Sequence, residues 1–571
     1  MIFSFSRLDL YPGHIKLILL IGIYSFLGLS NFCVDASEYD FTAVTFDRRP
    51  LEIDRTDVPK QIIIGSSLGG SSHVRPMLEI GKILTERGYN VSGQVTLVAP
   101  GNILPSKEYP SISQISTGPT IDYIEEPIYQ QIFNLRKLFV QNYISHFNVY
   151  KHVIETLNPD VFICDVLMND VCLDVAWINN RPVVGFGEGL LASTFTSYRS
   201  EVLYKCHVNM ENESFLNRFR CAIIEPVRFA FGMWSINEDL NNIRAQTGVD
   251  TVINTYEIIK SSLFLANTFF GFEVPHPMSP LVQEIGPVMQ DEYPILTPNL
   301  LSFVSTHKKI LYVSFSEELY TSLENNVILL QTCAEAIQQK IIDGVIWSFI
   351  NPSFDEILLK TITLSDGTSL STTEILSNQH PDILVSRFTS QFSVLNHTNV
   401  KVFLSSGGYM SSYEALYTGT PMLVMPIEFR DLNNAEKLER LGVGLTINRL
   451  NLDAKDILSK IKLLLADQSI QNNLKKTKVL TRVNSKRKYR AADLIEFVMH
   501  ALTLNPNDSL DVDGGEIGGG RNYDGLLKEW TAPEMRMGFF RGKYFDIYIS
   551  FLGGITIVTF VIMRFFLKCC C

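Results

Sequence analysis

Short apolar runs return along this chain with longer helical patterns between them, and the series starts twice. QIIIGSS (61–67) leads into MLEIGKILTERG (77–88), whose apolar residues share one helical face, and then come VTLVAP (95–100), DVFICD (160–165) and PVVGF (182–186). A proline-rich passage, VPHPMSPLVQEIGPVM (274–289), follows, and the pattern restarts with ILYVSF (310–315), GVIWSF (344–349), DILVSRF (382–388), VKVFLSS (400–406) and PMLVMP (421–426). Runs that are apolar on both faces belong to buried parallel strands, and the helical stretches between them are the crossovers such strands require. The expectation is an α/β fold of two Rossmann-like domains: 59–287, then a linker at 288–305, then 306–475, closed by a helical segment at 476–504. Open parallel sheets bind ligands beyond the carboxyl ends of their strands, so two of them facing each other would enclose a cleft.

A chain of 571 residues exceeds one ordinary core. With 49 basic against 60 acidic residues, a net charge of −11 and no basic stripe, no nucleic-acid partner is expected. Both ends suggest a membrane. Arg7, His14 and Lys16 precede LILLIGIYSFLGL, and Val34-Asp35-Ala36 offers a small-residue cleavage site, the pattern of a signal peptide over 1–36; an N-terminal anchor is the other reading. IYISFLGGITIVTFVIM (547–563) carries no charge between Asp546 and Arg564, so a spanning helix is expected over 544–567. A tail at 568–571 ends in three cysteines suited to acylation. The Gly- and Asp-rich stretch 505–543 before the helix reads as an exposed linker. With a cleaved signal this is a single-pass type I protein, its bulk in the lumen of the endoplasmic reticulum or another secretory compartment.

Cys206 and Cys221 are close enough in sequence to be a candidate disulfide, whereas Cys164 and Cys172 lie in apolar, core-like settings. Sequons stand at Asn90, Asn212, Asn396 and Asn507; Asn90 and Asn396 sit beside expected strands, where they would be less accessible. An aromatic insertion between Thr194 and Asp239 reads as surface helices, or as an acceptor-pocket wall or membrane-contacting patch. No cysteine or histidine spacing suggests a metal.

The stretch VKVFLSSGGYMSSYEALYTGTPMLVMP (400–426) is a strand, a glycine turn, a helix and a second strand. Gly407 and Gly408 would let backbone approach a ligand, and the amides opening the next helix favour an anion such as phosphate. Ser411 lies in that helix, and Glu414 lies further in, where a carboxylate can accept from ribose hydroxyls. Phosphate plus ribose means a nucleotide. In the first half, GSSLGGSSHVRPMLEIG (65–81) fails the spacing of a dinucleotide fingerprint, and brings His73 to the start of a helix. Asp165 ends a neighbouring strand. By themselves these would be a helix-start histidine and a capping carboxylate.

Together these motifs resemble the UDP-glycosyltransferase family over roughly residues 60 to 567, with the signature between Phe388 and Ala435. Its uracil-binding start corresponds to Phe388, Ser390 and Gln391; His397, Gly407, Gly408, Ser411, Glu414, Gly419, Pro421, Pro426, Asn434 and Ala435 fall in register. The resemblance implies the GT-B fold, no cofactor and no metal. It also implies a UDP-sugar as co-substrate, a small lipophilic acceptor, and transfer of a hexose to the acceptor's hydroxyl with inversion. His73 would be the general base and Asp165 its orienting carboxylate. The donor site would draw on Ser314, Phe388, Gln391, Ser406, Gly407, Gly408, Ser411, Glu414, Arg430 and Asp431. The chain departs from the family pattern in four places: Ser406 replaces histidine, Met410 asparagine, Ser316-Glu317 Gly-Ser, and Arg430-Asp431 the sugar-contacting Asp-Gln. Arg430 could grip a diphosphate or sugar carboxylate, or else pair locally with Glu428 or Asp431. A non-catalytic binding or partner protein of the same fold is the alternative function, and self-association stays open.

Overall fold

Two all-parallel sheets carry the chain. The first has seven strands: β1 (Ile62–Gly65), β2 (Val95–Ala99), β3 (Ile112–Ser116), β4 (Val161–Asp165), β5 (Val183–Gly187), β6 (Leu263–Ala266) and β7 (Val282–Glu284), in the spatial order β3-β2-β1-β4-β5-β6-β7. The second has six: β8 (Ile310–Ser314), β9 (Gly344–Ser348), β12 (Ile383–Ser386), β13 (Val400–Ser405), β14 (Met422–Val424) and β15 (Gly444–Thr446), in the order β12-β9-β8-β13-β14-β15. A small antiparallel pair, β10 (Thr361–Thr363) and β11 (Ser369–Ser371), stands apart. In this computed structural model the residues described are 61–88, 95–120, 128–190, 200–249, 258–259, 261–275, 277–315, 322–348, 360–387, 389–504, 527, 530 and 537–569. The expected signal peptide, the sequons at Asn90 and Asn507, and Ser316, Glu317 and Phe388 lie outside them.

Strand alternation sorts the first core into two layers. Ile62, Ile64, Val161 and Ile163 face one side of the sheet, while Ile63, Phe162 and Cys164 face the other. Helices cover both sides: α1 (Ser71–Glu86), α2 (Ile128–Leu157), α3 (Asp170–Ile178) and α4 (Glu225–Thr247). The second sheet is flanked by α5 (Pro298–Thr306), α6 (Leu323–Gln338), α7 (Gln391–Leu395), α8 (Tyr409–Thr418), α9 (Phe429–Arg440), α10 (Ala454–Ala466) and α11 (Gln468–Asn484). The stretch expected as a linker thus contains most of α5, which begins at Pro298 behind a Thr297 cap.

After α11 the chain returns. Ala491, Ala492, Leu494, Ile495, Val498 and Met499 of α12 (Lys488–Leu504) join the first domain's core beside Ile62 and Val95. Lys488 donates to the Met289 carbonyl at 2.7 Å, and Arg87 to Glu496 at 2.7 Å. Beyond it, α13 (Phe545–Cys569) contains 23 residues, Phe545–Leu567, with a mean hydropathy of 2.0, long and apolar enough to cross a membrane.

Among the described residues two disulfides form, Cys164–Cys172 and Cys206–Cys221. The first lies in the apolar, core-like setting expected for Cys164 and Cys172 and adds a bond not expected there, because β4 and α3 bring both sulfurs to the same interior layer. Cys333 is a free, buried thiol. Asn396 is exposed, against the expectation of reduced access, because it caps the end of α7 rather than lying within a strand. The aromatic insertion forms a short helix, Phe215–Phe219, and a π-helical turn, Arg220–Ile224, running into α4, with Phe215, Leu216, Phe231 and Trp234 exposed.

Candidate active site

The turn after β1 and the turn after β4 lie side by side because those strands are neighbours. Ser66 donates to Asp165 at 3.3 Å and Ser67 to Asn169 at 2.8 Å, so two hydroxyls stitch the turns together. His73 sits in the first turn of α1, its backbone N–H donating to Gly70, and is almost fully buried. Its Nδ1 lies 3.4 Å from Asp165, which also accepts from the Leu167 amide. The Cys164–Cys172 bridge closes a loop that contains Asp165 and anchors the residue immediately before it.

The other side of the imidazole meets a residue that the sequence reading missed. Glu188 follows the carboxyl end of β5, and its Oε2 stands 3.7 Å from His73 Nε2. The same oxygen is 3.7 Å from Nη1 of Arg430, which comes from the second domain. Burial pushes the Glu188 carboxyl upward, an effect the His73 and Arg430 charges partly offset. Neither imidazole nitrogen has a hydrogen-bond partner among the described residues.

Arg430 also donates through Nε to Glu428 at 2.9 Å and pairs with the same carboxylate through Nη2. Burial opposes its charge, but the surrounding carboxylates hold it protonated above the ordinary value. Asp431 is buried and accepts from the Ile427 and Glu428 amides at 3.1 and 2.9 Å, forming a capping box with Glu428 at the start of α9. Its carboxyl is pushed up to about 7 by burial and by Glu428. In this state Arg430 is paired with Glu428, and Asp431 caps its own helix.

The remaining donor-side residues gather at the carboxyl edge of the second sheet. Gly407 has φ +91°, and an added Cβ would stand 2.5 Å from Val424, so both backbone conformation and space demand glycine here. Its carbonyl accepts from Ser412 and from Asn434. Ser406 is buried just before it, and Gly408 opens α8, whose N-terminus no side chain caps. Gln391 donates to Ser411 at 3.1 Å and to Glu414 at 2.8 Å, bringing three expected residues together. Burial raises the Glu414 carboxyl to about 7. Ser314 ends β8 in register with Ser348 on β9; Ser348 accepts from Thr389, whose hydroxyl meets that of Tyr312.

The halves meet closely around this edge. Gly189 backs onto Tyr409 at the start of α8, where a Cβ would lie 2.5 Å from the phenol oxygen. Gln131 of α2 donates to the Ile427 carbonyl at 3.3 Å. The Val202 amide donates to Asn433 and the Val208 amide to Glu436, tying the insertion to α9. Glu188 could have been sought by the rule that strand carboxyl ends line a cleft, but its partners come from other strands and another domain.

The family model described as "UDP-glucoronosyl and UDP-glucosyl transferase" matches residues 188–502, and the chain belongs to this family. The match begins at Glu188, so it includes the donor-side residues and leaves His73 and Asp165 outside. A UDP-glycosyltransferase of Talaromyces amestolkiae is 32% identical over 296 residues, covering 51% of this chain and 54% of the relative, so that alignment spans about half the relative's length. UDP-glycosyltransferase 1 of Phaeomoniella chlamydospora is 29% identical over 419 residues, 71% of this chain and 80% of its own. Among solved structures, the glycotransferase of kitacinnamycin superposes with a TM-score of 0.55 at 17% identity, covering 77% of this chain and 99% of that one. The fold is GT-B, two Rossmann-like domains facing across a cleft.

Proposed function

We propose that this chain transfers a hexosyl group from a UDP-sugar to a hydroxyl of a small lipophilic acceptor, with inversion at the anomeric carbon. The observation that carries the reading is the Asp165–His73 pair on the rim of one domain, with its outer nitrogen 3.7 Å from Glu188, which Arg430 of the other domain also approaches. Asp165 at Nδ1 orients the ring and stabilises the imidazolium that forms; Nε2 is then the atom that takes the acceptor's proton. Separations slightly beyond hydrogen-bond length suit a site without substrate, where such contacts are commonly loose. The freed oxygen attacks the anomeric carbon as the bond to UDP breaks, and the proton rests on His73.

On the donor side, Glu414 and Gln391 form a polar pair suited to ribose and base, and the uncapped start of α8 behind Ser406 suits the diphosphate. Family membership supports a UDP-sugar as donor. The helix Phe545–Leu567 supports attachment to a membrane.

The test is UDP release by the full chain in detergent, supplied with UDP-glucose or UDP-glucuronic acid and a panel of lipophilic alcohols and phenols. Release that depends on both donor and acceptor, and is lost in His73→Ala, supports the reading. UDP-sugar binding without release across a broad panel would refute it.

A further inference from the structure

Glu188 is a buried carboxyl beside His73 that the transfer chemistry leaves without a task. Its side chain is nine-tenths buried at the cleft, where Oε2 lies 3.7 Å from His73 Nε2 and 3.7 Å from Arg430 Nη1. Oε1 is buried and accepts no hydrogen bond among the described residues. A buried carboxylate oxygen left without a donor is unfavourable, so the site gains when a ligand supplies one.

We propose that Glu188 is an acceptor-recognition residue, and that it selects acceptors bearing a second hydroxyl next to the one that reacts. The inference rests on the glycosyl-transfer reading for the identity of the reacting hydroxyl. If that hydroxyl donates to His73 Nε2, its neighbour on the adjacent carbon comes to the carboxylate 3.7 Å from the same nitrogen. A vicinal diol or catechol spans those two acceptors, one oxygen on each. Arg430 already flanks the carboxylate with a positive charge, so a neutral O–H complements it better than an ammonium would. Burial raises the Glu188 carboxyl, and a bonded O–H favours its ionised form.

Arg430 connects this selection to the donor domain. It is held by Glu428 at the start of α9 and reaches Glu188 across the cleft. The carboxylate is therefore steadied from the donor domain before an acceptor arrives.

The test pairs two probes of similar size, 2,3-dihydroxynaphthalene and 2-naphthol, titrated by fluorescence into the full-length protein in detergent at saturating UDP. The same pair is then compared by kcat/KM with a UDP-sugar donor. The wild type is expected to favour the diol by about tenfold or more, the scale of one charge-assisted hydrogen bond. Glu188→Gln, isosteric but uncharged, should shrink that ratio, and Glu188→Leu should bring it near unity. Circular dichroism and thermal melting identify any variant that fails to fold, and Glu188→Gln alone then decides. A ratio near unity in the wild type, an unchanged ratio in a folded variant, or binding of neither naphthol overturns the proposal. Diol preference in binding that Glu188→Gln reduces, with no transfer to either probe and no UDP release across the wider acceptor panel, supports the role of Glu188 while defeating the transferase reading.

Discussion

His73 stands between two carboxylates from adjacent strand ends, and that placement sets the expectations for individual residues. His73→Ala is expected to lower kcat by about 10²–10⁴-fold, the usual contribution of a positioned base, while calorimetry finds UDP affinity unchanged. Glu414 gives a second test through pH. Its ordinary value of 4.5 is raised to about 7 by burial, so between those values the folded protein holds a proton that the unfolded chain has released. Stability therefore falls as pH rises from about 4.5 to 7 and levels off above. Asp431, at about 7, and Asp174, at about 6, act in the same direction. Thermal melts of Glu414→Gln should show a shallower fall than the wild type without removing it. Gly407→Ala, forced to φ +91° against Val424, is expected to cost about 1–3 kcal/mol and to lower the melting midpoint. Much of this residue scale could be read in the chain. His73, Asp165 and the glycine pair announce themselves by following strands. Glu188 does not, because its meaning comes from β5 lying beside β4 and from an arginine more than two hundred positions away.

At the scale of elements, the strand ends are braced by what surrounds them. Cys164–Cys172 ties β4 to α3 across a separation of 8 residues, and Asp165 lies inside the closed loop. Replacing both cysteines with serine is expected to cost about 2–3 kcal/mol, the chain-entropy scale for so short a loop. Because Asp165 loses its anchor, kcat should fall more than UDP affinity does; an unchanged kcat with a lowered melting midpoint would limit the bridge to stability. The strands themselves were legible because fully buried parallel strands have few alternatives once helical patterns separate them. The bridge was not, since apolar surroundings describe a buried thiol and a buried disulfide equally well. The start of α9 shows the same limit. In sequence Arg430 reads either as a ligand contact or as a local partner of Glu428 or Asp431, and it pairs with Glu428; the capping box that engages Glu428 and Asp431 emerges only when the helix forms.

The whole molecule is held together by segments that leave one domain for the other. The insertion after β5 grips α9 through Val202 and Val208, and α12 lies in the first domain although the second precedes it in the chain. Past it, α13 has the length and composition to span a bilayer. Full-length protein is expected to stay in the pellet on alkaline carbonate extraction, and a chain ending near Arg541 to enter the supernatant; a soluble full-length chain would argue against a spanning role. The return of α12 also bears on how the protein is made. Ala491, Ala492, Leu494, Ile495, Val498 and Met499 fill one face of a core whose other walls are Ile62, Val95 and Val161. A nascent chain leaves the ribosome from its N-terminus, so that face waits open while the whole second domain is synthesised. The first domain begun is thus the last to be finished, and until α12 emerges its uncovered apolar face is a natural place for a chaperone to hold.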